Sequence, residues 1–352
     1  MLEDILRRSS PEWTKGSGPD SDVVISSRIR LARNLELFPF PHMMDEAAAD
    51  EVLGHAGRVT AGLNESGGWG SFEMFRLNDM SALERQVLVE KHLISPQHSQ
   101  DPRGKAVILG RDETVSIMVN EEDHLRIQCL FSGLQLQQAF VFAGGVDDVV
   151  ESVLDYAFSA QHGYLTACPT NAGTGLRSSV MVHLPGLVGT NQAGKVLSAI
   201  GKLGVAVRGL YGEGTEAAGS MFQVSNQITL GQSEAEIVNN LIGISGQIIN
   251  QERKARALLM SQAREQVEDR VWRAYGILRT ARILSSDEAL KLWSDVRMGA
   301  EMNLIRGLSR QVVNELLMIT RPAFLQYVEG REMSPFERDC KRAALVRERL
   351  TS

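Results

Sequence analysis

Asn120-Glu121-Glu122-Asp123-His124-Leu125-Arg126 is the stretch on which the reading of the chain turns. It follows the apolar segment Val115 to Val119. Three consecutive acids, a histidine and an arginine are costly at the end of a buried strand unless water or a ligand satisfies them. The seven residues alone leave two readings open, a solvated turn and a site. The segments around them decide between the two.

Composition narrows the classes first. A chain of 352 residues has room for two domains, and 43% hydrophobic with 23% charged residues suits a soluble protein with a sizeable core. A formal net charge of −6 argues against direct nucleic-acid binding, which favours a basic face. Cys129, Cys168 and Cys340 show no metal-like spacing, which fits a reducing compartment. Met1 to Ile5 lacks the apolar core of a signal peptide, and no run reaches the roughly 18 apolar residues of a membrane span. The expectation is a cytoplasmic protein with no membrane partner.

Working outward from the acidic stretch, Val107 to Leu109 and Val115 to Val119 predict a hairpin across Arg111-Asp112-Glu113. A further strand runs from His124 to Leu130. Upstream, residues 10–22 read as loop, and Val23 to Asn34 starts as a β-branched strand that turns basic. Arg28 and Arg30 are two apart, so on a strand both point to one face. That pattern serves a solvated edge strand or an oxyanion clamp, to which the planar guanidinium is suited. Residues 45–62 and 81–93 predict helices, with His92 at the end of the second. Phe72 to Leu77 predicts a short strand.

Downstream, Val146, Val149, Val150, Val153, Leu154, Ala157 and Phe158 have helical spacing. Leu165 to Arg177 reads as a strand, a tight small-residue loop and the start of a second strand, with Cys168 at the mouth. A cysteine beside arginines can be partly thiolate. Gly189 to Val196 imitates a phosphate-binding loop, but no Ser or Thr follows Lys195 and the stretch falls within a predicted helix 190–203. Val205 to Arg208 and Gln223 to Gln227 predict strands around a glycine-rich loop carrying Glu213 and Glu216. Ser233 with Glu236 predicts a capped helix start. Beyond it the chain turns helical, which suggests an N-terminal segment 1–22, an α+β unit 23–256 and a helical C-terminal domain 257–352.

Arg28, Arg30, Arg126, Arg177 and Arg208 thus stand at strand ends or beside loops, with Glu122 and Glu213 placed similarly. Gathered by one sheet they make a basic cleft with two carboxylates at its rim, suited to phosphoryl transfer. At this point SSRIRLARN, NEEDHLR, CPTNAGTGLR and VRG followed by GE, in this order over residues 21–254, resemble the ATP:guanido phosphotransferases, or phosphagen kinases. The resemblance implies an antiparallel sheet flanked by helices. It implies that Ser27, Arg28, Arg30, His92, Arg126, Arg177 and Arg208 bind ATP, with Mg2+ carried by the phosphates and not by protein ligands. It implies Glu122 and Glu213 as carboxylates gripping a guanidinium, Glu122 taking the proton, and Cys168 as a reactive thiol beside them.

Small-molecule members of that family carry a helical domain before the arginine pair, whereas Arg28 here follows only 27 residues. Tyr211 stands where members acting on free arginine often have another arginine. The resemblance therefore implies a bacterial branch that phosphorylates arginine side chains on proteins. It carries with it an activator protein, a stress-gene repressor, a Clp ATPase and a homo-oligomer as partners. In Arg338-Asp339-Cys340-Lys341-Arg342-Ala343, two arginines lie one helical turn apart beside an aspartate. The residues alone read as a surface salt-bridge pattern, and the resemblance implies an allosteric phosphoarginine pocket. The competing functions are a kinase of free guanidino compounds and a non-catalytic phosphoarginine adaptor.

Overall fold

Strand β1 (Val24–Arg33) is the axis of the molecule, because its alternating side chains find partners on both faces and both edges. It pairs antiparallel with β5 (Leu125–Ser132) on one side and β8 (Leu176–His183) on the other. Outward from β5 run β4 (Val115–Val119), β3 (Ala106–Gly110) and β2 (Phe72–Arg76). Outward from β8 run β10 (Met221–Asn226) and β9 (Val205–Gly209). The result is an eight-stranded antiparallel sheet among the described residues, which in this computed structural model are 1–209 and 217–351. A two-stranded hairpin, β6 (Phe158–Ser159) with β7 (Gly163–Tyr164), stands apart.

The helices divide between the two faces. Before the C-terminal region they are α1 (Leu2–Arg7), α2 (Glu46–Ser66), α3 (Ala82–Glu90), α4 (Pro96–Gln100), α5 (Leu136–Glu151), α6 (Pro185–Gly189), α7 (Ala193–Gly201) and α8 (Glu234–Gln262). One core joins Ile29, Leu31, Ile127, Val180 and Val224 of the sheet to α2, α5 and α8. On the other face, Leu130, Met118 and Met221 pack with Trp13, α1, α3 and the helices that follow α8. Those are α9 (Arg264–Thr280), α10 (Ser286–Glu301), α11 (Arg310–Ile319), α12 (Pro322–Glu329) and α13 (Pro335–Thr351). Buried polar bonds fix α10 to the end of β8: Arg297 Nη1 lies 2.7 Å from His183 Nδ1, and Ser294 Oγ lies 2.8 Å from His183 Nε2.

The capping box at Ser233 and Glu236 forms as its sequence predicts. The helix read from Val146 to Phe158 is displaced. It spans Leu136–Glu151, so Gly144 and Gly145 lie inside it instead of before it. A Cβ on Gly145 would come within 2.4 Å of the Trp69 ring, so close packing against that ring excludes a side chain there. Residues 153–158 leave the helix because the end of β1 captures them: Ala157 N donates to Asn34 O at 2.8 Å. Leu165 belongs to no strand, and helix 190–203 shortens to α7 after a turn. The loop-like Gly189 to Val196 is split between α6 and α7, with Lys195 exposed, and makes no phosphate cradle.

Candidate active site

The register of the sheet gathers the arginines. Arg30 lies opposite Arg177 on β8 and Gln128 on β5, Ala32 lies opposite Arg126, and Arg208 of β9 lies opposite Gln223 of β10. Counting alternation across these pairs puts Arg28, Arg30, Arg126, Arg177 and Arg208 on one face. Their charges act on one another. Burial, then Arg28, Arg126 and Arg177, hold Arg30 well below the ordinary arginine range. Burial, then Arg208 and Arg126, pull Arg177 down, while Cys168 and Glu122 oppose the shift. Arg30 Nε and Arg177 Nε are buried without a hydrogen-bond partner. A cluster of like charges with orphaned donors is arranged for an anion that brings several acceptor oxygens.

The stretch 120–126 forms the rim of this face, and its residues divide the work. Arg126 Nη1 pairs with Glu121 at 2.5 Å, and Arg126 Nη2 donates to Glu122 Oε2 at 3.2 Å. The Glu121 side chain is buried, only 6% exposed, and also accepts from Ser95 Oγ; that of Glu122 is 45% exposed. Asp123 is buried and accepts from Asn34 Nδ2 and Ala167 N, each at 2.7 Å. Burial pushes its carboxyl up despite those bonds. His124 Nδ1 accepts from Leu35 N at 3.0 Å and its Nε2 faces Pro39 O at 3.0 Å. Asp123 and His124 are therefore anchors. Through Ala167, Asp123 sets the loop of Cys168, whose Sγ lies 3.0 Å from Thr170 Oγ1, beside the Glu122 turn.

Two cavities meet at the Arg126–Glu122 pair. One, of about 560 Å³, is lined by Arg28, Arg30, His92, Arg126 and Gln128 with apolar Val89, Ile94 and Met118. Gln128 Nε2 donates to His92 O at 2.7 Å, which holds a backbone with φ of 60°. Burial, then Arg28 and Arg321, depress His92 to about 3, so the ring is neutral at physiological pH. The other cavity, of about 740 Å³, has more acidic than basic side chains in its wall: Asp45, Glu46, Asp50, Asp101, Glu121 and Glu122 against Arg76, Arg103 and Lys105. The basic side suits a nucleotide, and the acidic side suits a cation.

A family model described as ATP:guanido phosphotransferase, C-terminal catalytic domain, matches residues 56–255. The chain belongs to the ATP:guanido phosphotransferase family. A second model, the protein-arginine kinase McsB C-terminal domain, matches residues 264–352 of this phosphotransferase, and Ala263 separates α8 from α9 just before it. Among similar proteins, the protein-arginine kinase of Moorella thermoacetica is 57% identical over 98% of each chain. That of Bacillus subtilis is 49% identical over 99% of this chain and 96% of its own. Among solved structures, a duplicated taurocyamine kinase from Schistosoma mansoni superposes with a TM-score of 0.61 at 25% identity, over 72% of this chain and 38% of its own. Lombricine kinase gives 0.59 at 24%, over 73% and 77%. The fold is that of the phosphagen kinases, and this phosphotransferase is an ATP-dependent enzyme.

Glu213 lies outside the described residues. Ser27 alternates to the face opposite the arginines, where its Oγ donates to Gly133 O at 2.7 Å and accepts from Gln135 N at 2.9 Å. Its side chain serves the sheet and does not reach the cleft. Arg342 is buried on α13, where Nε donates to Thr320 O and Nη1 to Leu284 O, each at 2.7 Å, and Nη1 also meets Asp339 at 2.5 Å. Arg338 is half-buried and donates to Met333 O at 2.8 Å. Residues that sequence reasoning missed, Asn34, Ser95, Glu121 and Gln128, all position others. Asn34 and Gln128 stand on or just after strands that carry site arginines, which was the available signal.

The phosphotransferase also carries a built-in acid sensitivity. Burial holds His98 and His124 at about 4 and His183 well below its ordinary value. In the unfolded chain each takes its proton near 6.5. Between about pH 6.5 and 4 the unfolded state therefore binds protons that the fold refuses, and stability falls on acidification by up to about 1.4 kcal/mol per pH unit for each ring. Glu90, Glu113 and Asp123, raised by burial, work in the opposite sense. The thermal midpoint should drop between pH 7 and pH 5. A midpoint that is flat or rising over that range contradicts the assignment of neutral buried rings.

Proposed function

We propose that this chain transfers the γ-phosphoryl group of ATP to arginine side chains of proteins. The observation that carries this reading is five arginines on one sheet face, separated by the Arg126–Glu122 pair from a second, acidic cavity. Full-length relatives named protein-arginine kinase support the choice of a protein substrate.

The chemistry follows from charge. A guanidinium is protonated at any physiological pH and has no free lone pair. Glu122 accepts a proton from it, and the freed nitrogen attacks the γ-phosphorus. The bond to the β–γ bridging oxygen breaks, and ADP leaves. The arginines neutralise the equatorial oxygens and the departing phosphate. Glu213 grips the guanidinium from a second side in this proposal, and Cys168 lies against it. Magnesium brought with ATP would be carried on the nucleotide phosphates in this reading. Its bound charge adds to that of the arginines.

The catalytic unit is taken as 23–256 and the helical unit as 257–352. Arg338, Asp339 and Arg342 form the proposed phosphoarginine pocket, which requires Arg342 to release carbonyl bonds. The wider roles in stress response, repressor control, delivery to a Clp protease and assembly into oligomers in the cytoplasm rest on the resemblance alone. The test is incubation with ATP and an unfolded protein at neutral pH, followed by mass spectrometry without acid steps, since the P–N bond is acid-labile. Phosphate on arginine is the expected result. Phosphate only on free arginine, or only on Ser and Thr, sinks the proposal.

A further inference from the structure

The nucleotide cavity is not built by the sheet alone. Arg321 and Pro322, at the turn between α11 and α12, and Ser286, at the start of α10, share it with Arg28, Arg30 and His92. The turn that carries Arg321 is held from several directions. The Glu90 carboxylate accepts from Ala323 N and Phe324 N, each at 2.9 Å. Arg342 donates to the carbonyl of Thr320, and Arg321 Nε donates to Leu317 O at 3.2 Å. The charge of Arg321 reaches His92, where it adds to burial and Arg28 in keeping the ring neutral.

The cavity combines the sheet arginines Arg28, Arg30 and Arg126 with an apolar wall. Arg177 and Arg208, toward the β9 side of the sheet, do not line it, whereas apolar Val89, Ile94 and Pro322 do. An extended triphosphate would run along the row of sheet arginines, and a planar base would fit the end with His92 and the apolar wall. Resting on the ATP-dependent reading of the site, we propose that Arg321 is a further nucleotide-contacting residue, supplied by the helical region and acting on the base and ribose of ATP. A guanidinium stacks on aromatic planes and donates from a rigid fork, and an ammonium does not replace it in that role. The nucleotide site is then completed by the C-terminal helices.

The test uses the full chain and calorimetric titration with ATP and with tripolyphosphate. Arg321→Ala should weaken ATP binding about tenfold and leave tripolyphosphate binding within twofold. Arg321→Lys should stay within about threefold of the alanine variant. Without nucleotide the thermal midpoint should fall by no more than a few degrees, as the bond to Leu317 O is lost, and the shift caused by ATP should shrink. Arg321→Gln, of similar reach, gives the same reading if the alanine variant folds poorly. ATP affinity within twofold of wild type overturns the proposal. Equal weakening of ATP and tripolyphosphate overturns the assignment to base and ribose. If the wild-type chain itself fails to bind ATP, the nucleotide reading and this inference fall together.

Discussion

Replacing Glu122 by glutamine lowers phosphoryl transfer by about 10²–10⁴ while ATP affinity changes little, because general-base help contributes on that scale. The substitution keeps shape and hydrogen-bonding reach and removes only the charge. Glu122 lies outside the nucleotide cavity, so its loss takes no contact from ATP. Its partner Arg126 keeps Glu121 at 2.5 Å and does not become an orphan charge. A single-turnover assay with saturating ATP isolates the chemical step. Near-normal turnover with intact nucleotide binding would place the proton acceptor elsewhere, with Cys168 the first alternative to examine.

Arg30→Met should move stability and function in opposite directions. Arg30 is desolvated and faces three like charges, and its Nε has no partner. Folding penalises its charged form, so methionine of similar length removes the penalty. Arg30 is half-buried on the cavity wall, so swapping it for a hydrophobic residue can stabilise by no more than the about 1–4 kcal/mol seen for fully buried ions. The thermal midpoint of the nucleotide-free chain should therefore rise. ATP affinity should fall at least tenfold, as expected for a lost charge-assisted bond of about 1.5–3 kcal/mol. Phosphoryl transfer should fall by about 10³ or more if Arg30 also neutralises transition-state charge. A lower midpoint with unchanged ATP affinity would mean that Arg30 is structural, as its strand neighbour Arg33 is. Arg33, on the opposite face, is clamped by Asp147 at 2.6 Å and stacks 3.6 Å from the Tyr164 ring.

That contrast between Arg30 and Arg33 shows what the sequence could reveal. Alternation along one strand makes Arg28 and Arg30 share a face, and it equally puts Ser27 on the other. The arginine face was readable once strands were recognised. The order of the strands was not, since nothing local in Arg177 says that it lies opposite Arg30. The helix displaced to Leu136–Glu151 has a similar cause. Gly144-Gly145 reads as a breaker by propensity, but a tryptophan from residue 69 packs where a Cβ would stand. Asp123, Asn34 and Ala167 meet across separations of 44 and 89 residues, which no short window contains. Arg321 was invisible for the same reason: its turn is ordinary in sequence and reaches the cavity only through the packing of α12 on α3.

The central place of β1 has a dynamic consequence. Its amides are bonded on both sides, to β5 and to β8, and helices cover it above and below. Such a strand opens only when the whole sheet does, so its hydrogen exchange should be among the slowest in the chain. Arg28 and Arg30 thus inherit their rigidity from global folding. In the proposed reading, the part of the phosphate site that β1 supplies is then formed before ATP arrives. Control of this enzyme would then act away from β1, on the rim, on edge strand β9 with Arg208 and on the helices around the cavity.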